Sequence, residues 1–323
     1  MRRAYWAALV AALLAASVLA VCVGTIAISP RDLVDVIRGT GGDIATAVVR
    51  TLRVPRVLLA ILVGAGLGMS GGALQGAMRN PLAEPYLLGV SGGAAVGAVL
   101  ATMLAVPTAL VPVAAFVGAI VAVIAAFFVA HAAGTRGDAR VLLMAGVVVG
   151  AFANAAIMVA LANAESNTIR GALWWMMGSV ADATWTQIAL LAVYVGVGGA
   201  ALVLLGRRID VLALGDDAAA GLGVDVDRSL RIVFLVASIV AAATVAAAGL
   251  IGFVGLVVPH LVRGAGARRH RPLLVGCALT GATLVVLADL LARIIRPPAE
   301  LPLGAVTALI GVPFFLVKLR RLS

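Results

Sequence analysis

Apolar residues come in long runs along this chain, separated by short clusters of Arg, Asp, Gly and Pro. A bilayer core of about 30 Å takes roughly 20 apolar residues as helix. The runs predict spans at 5–28, 56–78, 87–106, 110–132, 141–162, 188–206, 230–248, 250–263, 272–292 and 303–319. The eighth is short and its border with the seventh is soft. The pattern therefore predicts an all-α integral membrane protein of about ten transmembrane helices, with 1–323 forming a single transmembrane domain.

Arg2 and Arg3 followed by an apolar run to Ser17-Val18-Leu19-Ala20 have the outline of a signal peptide. The run continues to about Ile28, long enough to span, and the expectation is a retained first helix. With the N-terminus inside, the inner side holds Arg2, Arg3, Arg79, Arg136, Arg140, Arg207, Arg208, Arg228, Arg231, Arg263, Arg268, Arg269, Arg271, Lys318, Arg320 and Arg321. The outer side holds Arg31, Arg38, Arg50, Arg53, Arg56, Arg170, Arg293 and Arg296. This two-to-one bias predicts a multi-pass protein of the cell (inner) membrane with both termini cytoplasmic. Residues 29–55 and 163–187 then lie outside and 207–229 inside, with Trp174, Trp175 and Trp185 placed as interfacial anchors.

Composition agrees with the pattern. Hydrophobic residues are 63% of 323 positions and charged residues 12%, against about 45–50% and 25% in soluble domains. The net charge of +10 suggests nucleic acid until its placement is considered: the cations flank apolar runs, as membrane topology requires. Cys22 and Cys277 both fall inside apolar stretches, which argues against a disulfide framework or a metal site.

Gly64, Gly68, Gly72 and Gly76 share one face of the second span and predict close helix packing. The same stretch contains Gly66-Leu67-Gly68-Met69-Ser70-Gly71, formally a dinucleotide fingerprint, but no strand precedes it and lipid surrounds it. Lys318 is the sole lysine and lies in the C-terminal tail, so the chain cannot form a Walker A loop. If ATP drives the protein, ATP and Mg sit on a partner subunit, and this chain itself binds no cofactor. In 207–229, Asp216 or Asp217 can cap a short helix that Gly221 ends, and Asp225 can cap a second running into the seventh span. A cytoplasmic docking element and an ordinary connector both fit that pattern.

Several motifs in order resemble the iron-siderophore, haem and vitamin B12 permease family of ABC importers, the FecCD type. They are Arg53-Val54-Pro55-Arg56, Gly72-Ala73-Leu74-Gln75-Gly76, Arg79-Asn80-Pro81-Leu82-Ala83-Glu84-Pro85, Leu88-Gly89-Val90-Ser91-Gly92-Gly93 and Trp175-Met176-Met177-Gly178-Ser179. Farther on come Leu214-Gly215-Asp216, Leu222-Gly223-Val224, Gly252 to His260, Ala288 to Arg293 and Ala299 to Gly304. The resemblance implies a type II ABC importer permease that pairs with a second copy of itself or a close paralogue, with the cargo path along the two-fold axis. It implies two ATP-binding cassette subunits inside, a periplasmic binding protein outside, and a metal chelate as cargo, a ferric siderophore or haem first and cobalamin (vitamin B12) as the alternative. It also implies ATPase coupling through Leu214, Gly215, Asp216, Asp217, Gly221, Leu222, Gly223 and Val224, and docking of an acidic binding protein on Arg53, Arg56 and Arg293.

Arginines flanking helices at the headgroup level are the plainer reading of those three cations. Asp289, four residues before Arg293, is placed to pair with it. Gln75 and Asn154 are polar groups within spans and are expected to face the protein interior, either lining the path or bonding helix to helix. His260 reads as a helix-end residue, and His131 and His270 are too far apart to suggest a metal site. A secondary transporter would need carboxylates near mid-membrane, yet Asp289 is the sole acidic residue within the predicted spans. An intramembrane enzyme would need paired ionisable groups, and no Ser/His/Asp or Cys/His grouping suggests catalysis. The sequence predicts transport, with hydrolysis elsewhere.

Overall fold

The computed structural model describes residues 3–24, 26–133 and 139–319. Arg2, Arg136, Arg320 and Arg321 lie outside the described residues, as does the side chain of Lys318. Among the described residues the α-helices are α1 (Arg3–Cys22), α2 (Pro30–Arg38), α3 (Asp43–Ala47), α4 (Val54–Ala77), α5 (Val90–Met103), α6 (Val111–Ala132) and α7 (Ala139–Leu161). They continue with α8 (Ser166–Met176), α9 (Trp185–Leu212), α10 (Asp216–Gly221), α11 (Val226–Ala248), α12 (Val254–Gly264), α13 (His270–Ile294) and α14 (Leu303–Leu319). Seven helical rods are long and apolar enough to cross a bilayer, and α5, α12 and α14 are shorter apolar helices, ten in all. A backbone that must satisfy its own hydrogen bonds in lipid leaves helices as the solution for such runs.

α4 is the axis of the bundle. It packs against α13, α9, α11 and α12, and 78% of its apolar window is buried, against 28% for α6, α7 and α9. The glycine stripe explains the closeness to α13. A Cβ on Gly64 would overlap the carbonyl of Gly281, one on Gly68 would reach the carbonyl of Cys277, and one on Gly76 would overlap the His270 ring. Gly72 faces the sulfur of Cys277. Small side chains let the two backbones meet, so dispersion replaces the hydrophobic drive that lipid cannot supply. A second group, α5, α6 and α7, packs by the same means, with Gly93 against Gly118 and Gly97 against Ala114.

Three predicted boundaries change. Residues 29–55 are helical for most of their length: a capping box between Ser29 and Asp32 starts α2, Gly39 at φ 79° ends it, and a π-turn over Val48–Arg53 runs straight into α4. Residues 163–187 contain α8, with Trp174 and Trp175 near its end. Residues 207–212 belong to α9 rather than to a loop, because Ile209 and Leu212 continue its buried face. The interhelical connection shortens to 213–225.

One helix ends and another begins inside the bundle rather than at its ends. α11 stops at Gly249 (φ 70°, ψ −160°), and α12 starts after Phe253, whose φ of 68° is left-handed. A Cβ on Gly255 would lie 2.9 Å from Pro85 Cδ and 3.1 Å from the Leu67 carbonyl oxygen. Leu67 is ten residues from the Ala77 end of α4, or about 15 Å at 1.5 Å per residue. The connections 79–89 and 249–253 therefore meet about halfway along α4, and Glu84 comes with them.

Candidate functional site

At the Val54 end of α4, five charged side chains converge. Arg56 donates to Asp289 from Nε (3.0 Å) and Nη2 (2.8 Å), and to both oxygens of Glu300 at 2.8 Å. Arg293 Nε lies 3.3 Å from Asp289 Oδ2, the spacing-predicted pair. The remaining donors turn to the carbonyl end of α1. Arg293 Nη2 donates to Ala20 O at 3.0 Å, and Arg53 Nη1 donates to Cys22 O at 2.9 Å and also to Val21 O. Arg53 Nη2 donates to Ile26 O. A helix C-terminus leaves its last carbonyls without intrahelical donors and carries partial negative charge. Two arginines supply both the donors and the countercharge.

These are the three arginines expected to dock an acidic binding protein. Arg53, Arg56 and Arg293 are 6%, 9% and 9% exposed, and their guanidinium groups are committed to partners within the chain. They clamp α1 and α13 to α4. Helix-flanking position was readable in the sequence, but burial was not, because the Arg56 partners Asp289 and Glu300 lie 233 and 244 residues away.

At the other end of α4 a small knob projects. α10 is short, Ala219 is its buried keel, and Leu214 and Leu222 stand 65% and 64% exposed on either side. Asp216 does not cap the helix. Gly215 holds the N-cap position without a side-chain bond, and Asp216 instead pairs with Arg79 at 2.7 Å. Asp217 is exposed in the same first turn. Gly221 is the last residue of the helix, and Gly223, at φ 78°, turns the chain so that its N–H and that of Val224 return to Ala220 O and Ala219 O. Asp225 caps α11 through Arg228 N, as the spacing predicts. Beside the knob lies a cleft of about 1020 Å³ whose walls include Arg79, Asn80, Asp216 and Asp217.

The two intramembrane amides separate. Gln75 is buried, donates from Nε2 to Gly255 O and Leu256 O, and accepts from Arg263 Nη1 at 2.6 Å, bonding α4 to α12. Asn154 is exposed on α7 of the single chain, on a face shared with Phe152, Met158 and Val159. His260 Nε2 lies 3.0 Å from Pro81 O, with its ring edge-on to Phe315. Nothing in the helical spacing singled out Glu84 or Tyr86. Glu84 Oε1 accepts from Phe253 N at 2.9 Å, and Tyr86 Oη accepts from Ile251 N at 3.0 Å.

A buried charge cluster thus lies at one end of α4, an exposed knob at the other, and a break between α11 and α12 at a level between them. Residues 12–321 match the FecCD transport family. The chain belongs to that family. It is 44% identical over 281 residues, 86% of this chain and 74% of the relative, to the cobalamin import system permease protein BtuC of Halobacterium salinarum. It is 36% identical over 279 residues, 84% of this chain and 82% of the relative, to the hemin transport system permease protein HmuU of Yersinia pestis. Its fold matches a solved chain described as a metal-chelate type ABC transporter in an inward-facing conformation, with a TM-score of 0.89, 28% identity and coverage of 97% of this chain and 98% of the other. As a FecCD permease of the ABC importer type, the chain is a multi-pass transport subunit.

Proposed function

We propose that this FecCD permease carries a metal chelate inward, with a corrinoid as the first cargo to test and an iron chelate as the second. The 44% identity to a cobalamin permease over most of the chain supports the first. Relatives named for hemin and for Fe(3+)-citrate, at 36% and 33% identity, support the second. The test is uptake into proteoliposomes holding the permease, its ATPase and its binding protein. ATP-dependent entry of cobalamin in preference to haem or ferric chelates supports the corrinoid reading, and entry of iron chelates alone replaces it.

The assembly follows from surface chemistry. Asn154 stands on an exposed apolar face of α7, and an amide there is costly against lipid. That face turns to the cargo path or to a second copy of the chain, or a close paralogue, on the two-fold axis. The apolar knob of Leu214 and Leu222, bracketing Asp216 and Asp217, is the surface an ATP-binding cassette subunit docks on. In this reading the knob is cytoplasmic, both termini are cytoplasmic, and the periplasmic binding protein meets the face carrying α2 and α3. Replacing 215–223 with a flexible linker should abolish ATP-driven uptake while the permease still folds, and normal uptake would refute the coupling role.

A further inference from the structure

We propose that residues 79–89 form a stiff strap linking the α10 knob to the broken α11–α12 junction about halfway along α4, with Arg79, Glu84 and Tyr86 as its positioning residues. The inference rests on the importer reading above and assigns the route by which the knob reaches the cargo path.

The strap is held at both ends. At its lower end Arg79, in the left-handed region at φ 49°, pairs with Asp216 at 2.7 Å. The Pro81 carbonyl then meets His260 at 3.0 Å, near the lower end of α12. At the upper end Pro85 and the Leu67 carbonyl both lie against Gly255, about 15 Å above the end of α4 by helix rise. There the junction 249–253 has N–H groups that no helix satisfies. Glu84 and Tyr86 accept from two of them, Phe253 and Ile251. A buried backbone donor at that depth must be paired, so these two side chains decide where the junction sits. Gly252, between the two held residues, opens onto free space.

Little slack separates the ends. Asn80 Oδ1 accepts from Leu82 N at 2.9 Å. Ala83 N returns to Asn80 O, Leu87 N to Glu84 O, and Gly89 N to Tyr86 O, at 3.1–3.3 Å. Beyond them Leu88 lies against Gly146 of α7, where a Cβ would stand 2.7 Å from the Leu88 Cα. A displacement of α10 is therefore delivered to the junction and to α7 together. A contiguous chain of fixed contacts can carry coupling between two sites, and residues 79–89 supply one.

The test uses the complete reconstituted importer and reads cargo moved per ATP hydrolysed. Arg79→Ala, Glu84→Ala and Tyr86→Phe should each lower that ratio about fivefold to tenfold, the scale of one lost hydrogen bond. Glu84→Gln keeps an acceptor oxygen and should stay within about twofold of wild type. Because the contacts act in series, Arg79→Ala combined with Tyr86→Phe should be no worse than the poorer single variant. Losses that multiply in the double variant, or unchanged ratios in the singles, would overturn the strap. If Glu84→Ala does not fold, the Arg79 and Tyr86 pair still carries the comparison. A wild-type complex that hydrolyses ATP without importing any chelate would overturn the importer reading itself, a result distinct from unchanged ratios in a working importer.

Discussion

Replacing Arg56 with Gln tests whether the charge cluster is an interior clamp or a docking surface. The guanidinium is 9% exposed, and Asp289 beside it is 2% exposed. Removing the cation takes away the bonds to Asp289 and both bonds to Glu300, and leaves Asp289 with Arg293 at 3.3 Å as its remaining cation. Breaking a buried pair from one side costs about 3–5 kcal/mol. With an unfolding entropy of about 2.1 cal/mol/K per residue, this lowers the midpoint of a 323-residue chain by about 4–7 °C. Glu300→Gln is the internal comparison. Its side chain is 40% exposed, so its loss should cost no more than about 1 kcal/mol, or about 1.5 °C. Thermal unfolding of the purified permease in detergent, followed by intrinsic Trp fluorescence, measures both. Equal shifts, or no shift for Arg56→Gln, would refute the clamp. An unchanged midpoint with weakened binding-protein affinity would return Arg56 to the surface role first read from the sequence.

Glu300 also sets a pH dependence. Its hydrogen bond to Arg56 holds its carboxyl below the usual Glu range, so the stability it adds is complete above the unfolded value of about 4.3. That contribution is lost as pH falls through the lower folded value. The midpoint difference between wild type and Glu300→Gln should therefore close on acidification from pH 7 to 3, and a difference that widens would contradict the pairing. Gly64→Ala should destabilise by about 1–3 kcal/mol through overlap with the Gly281 carbonyl. Gly196→Ala, with open space around it, should be neutral or stabilising by up to about 1 kcal/mol; the same thermal assay separates the two. For topology, with Cys22 and Cys277 replaced by Ala, Thr40→Cys should react with an impermeant thiol reagent added outside and Arg268→Cys should not. Both positions are exposed, and the reverse pattern would invert the proposed orientation.

Ten apolar helices were legible in the sequence because each helix satisfies its own backbone and needs only a long enough apolar surface to remain in lipid. The glycine face of α4 was legible for a similar reason: i, i+4 spacing fixes a face without reference to any partner. Asp225 as a cap and Asp289 with Arg293 as a pair are likewise local geometry. What tertiary structure alone decided is which polar groups are inside. Arg56 looks like a membrane flank until Asp289 and Glu300, far along the chain, arrive beside it. Gln75 and Asn154 look alike within their spans, yet one is bonded to α12 and Arg263 while the other stands exposed on α7. Glu84 lies just outside a predicted span and still reaches the middle of α4, because the chain re-enters to meet the broken α11–α12 junction. Periodicity reports how a segment meets its solvent, whereas the burial of a charge depends on partners that only the folded chain brings within 3 Å.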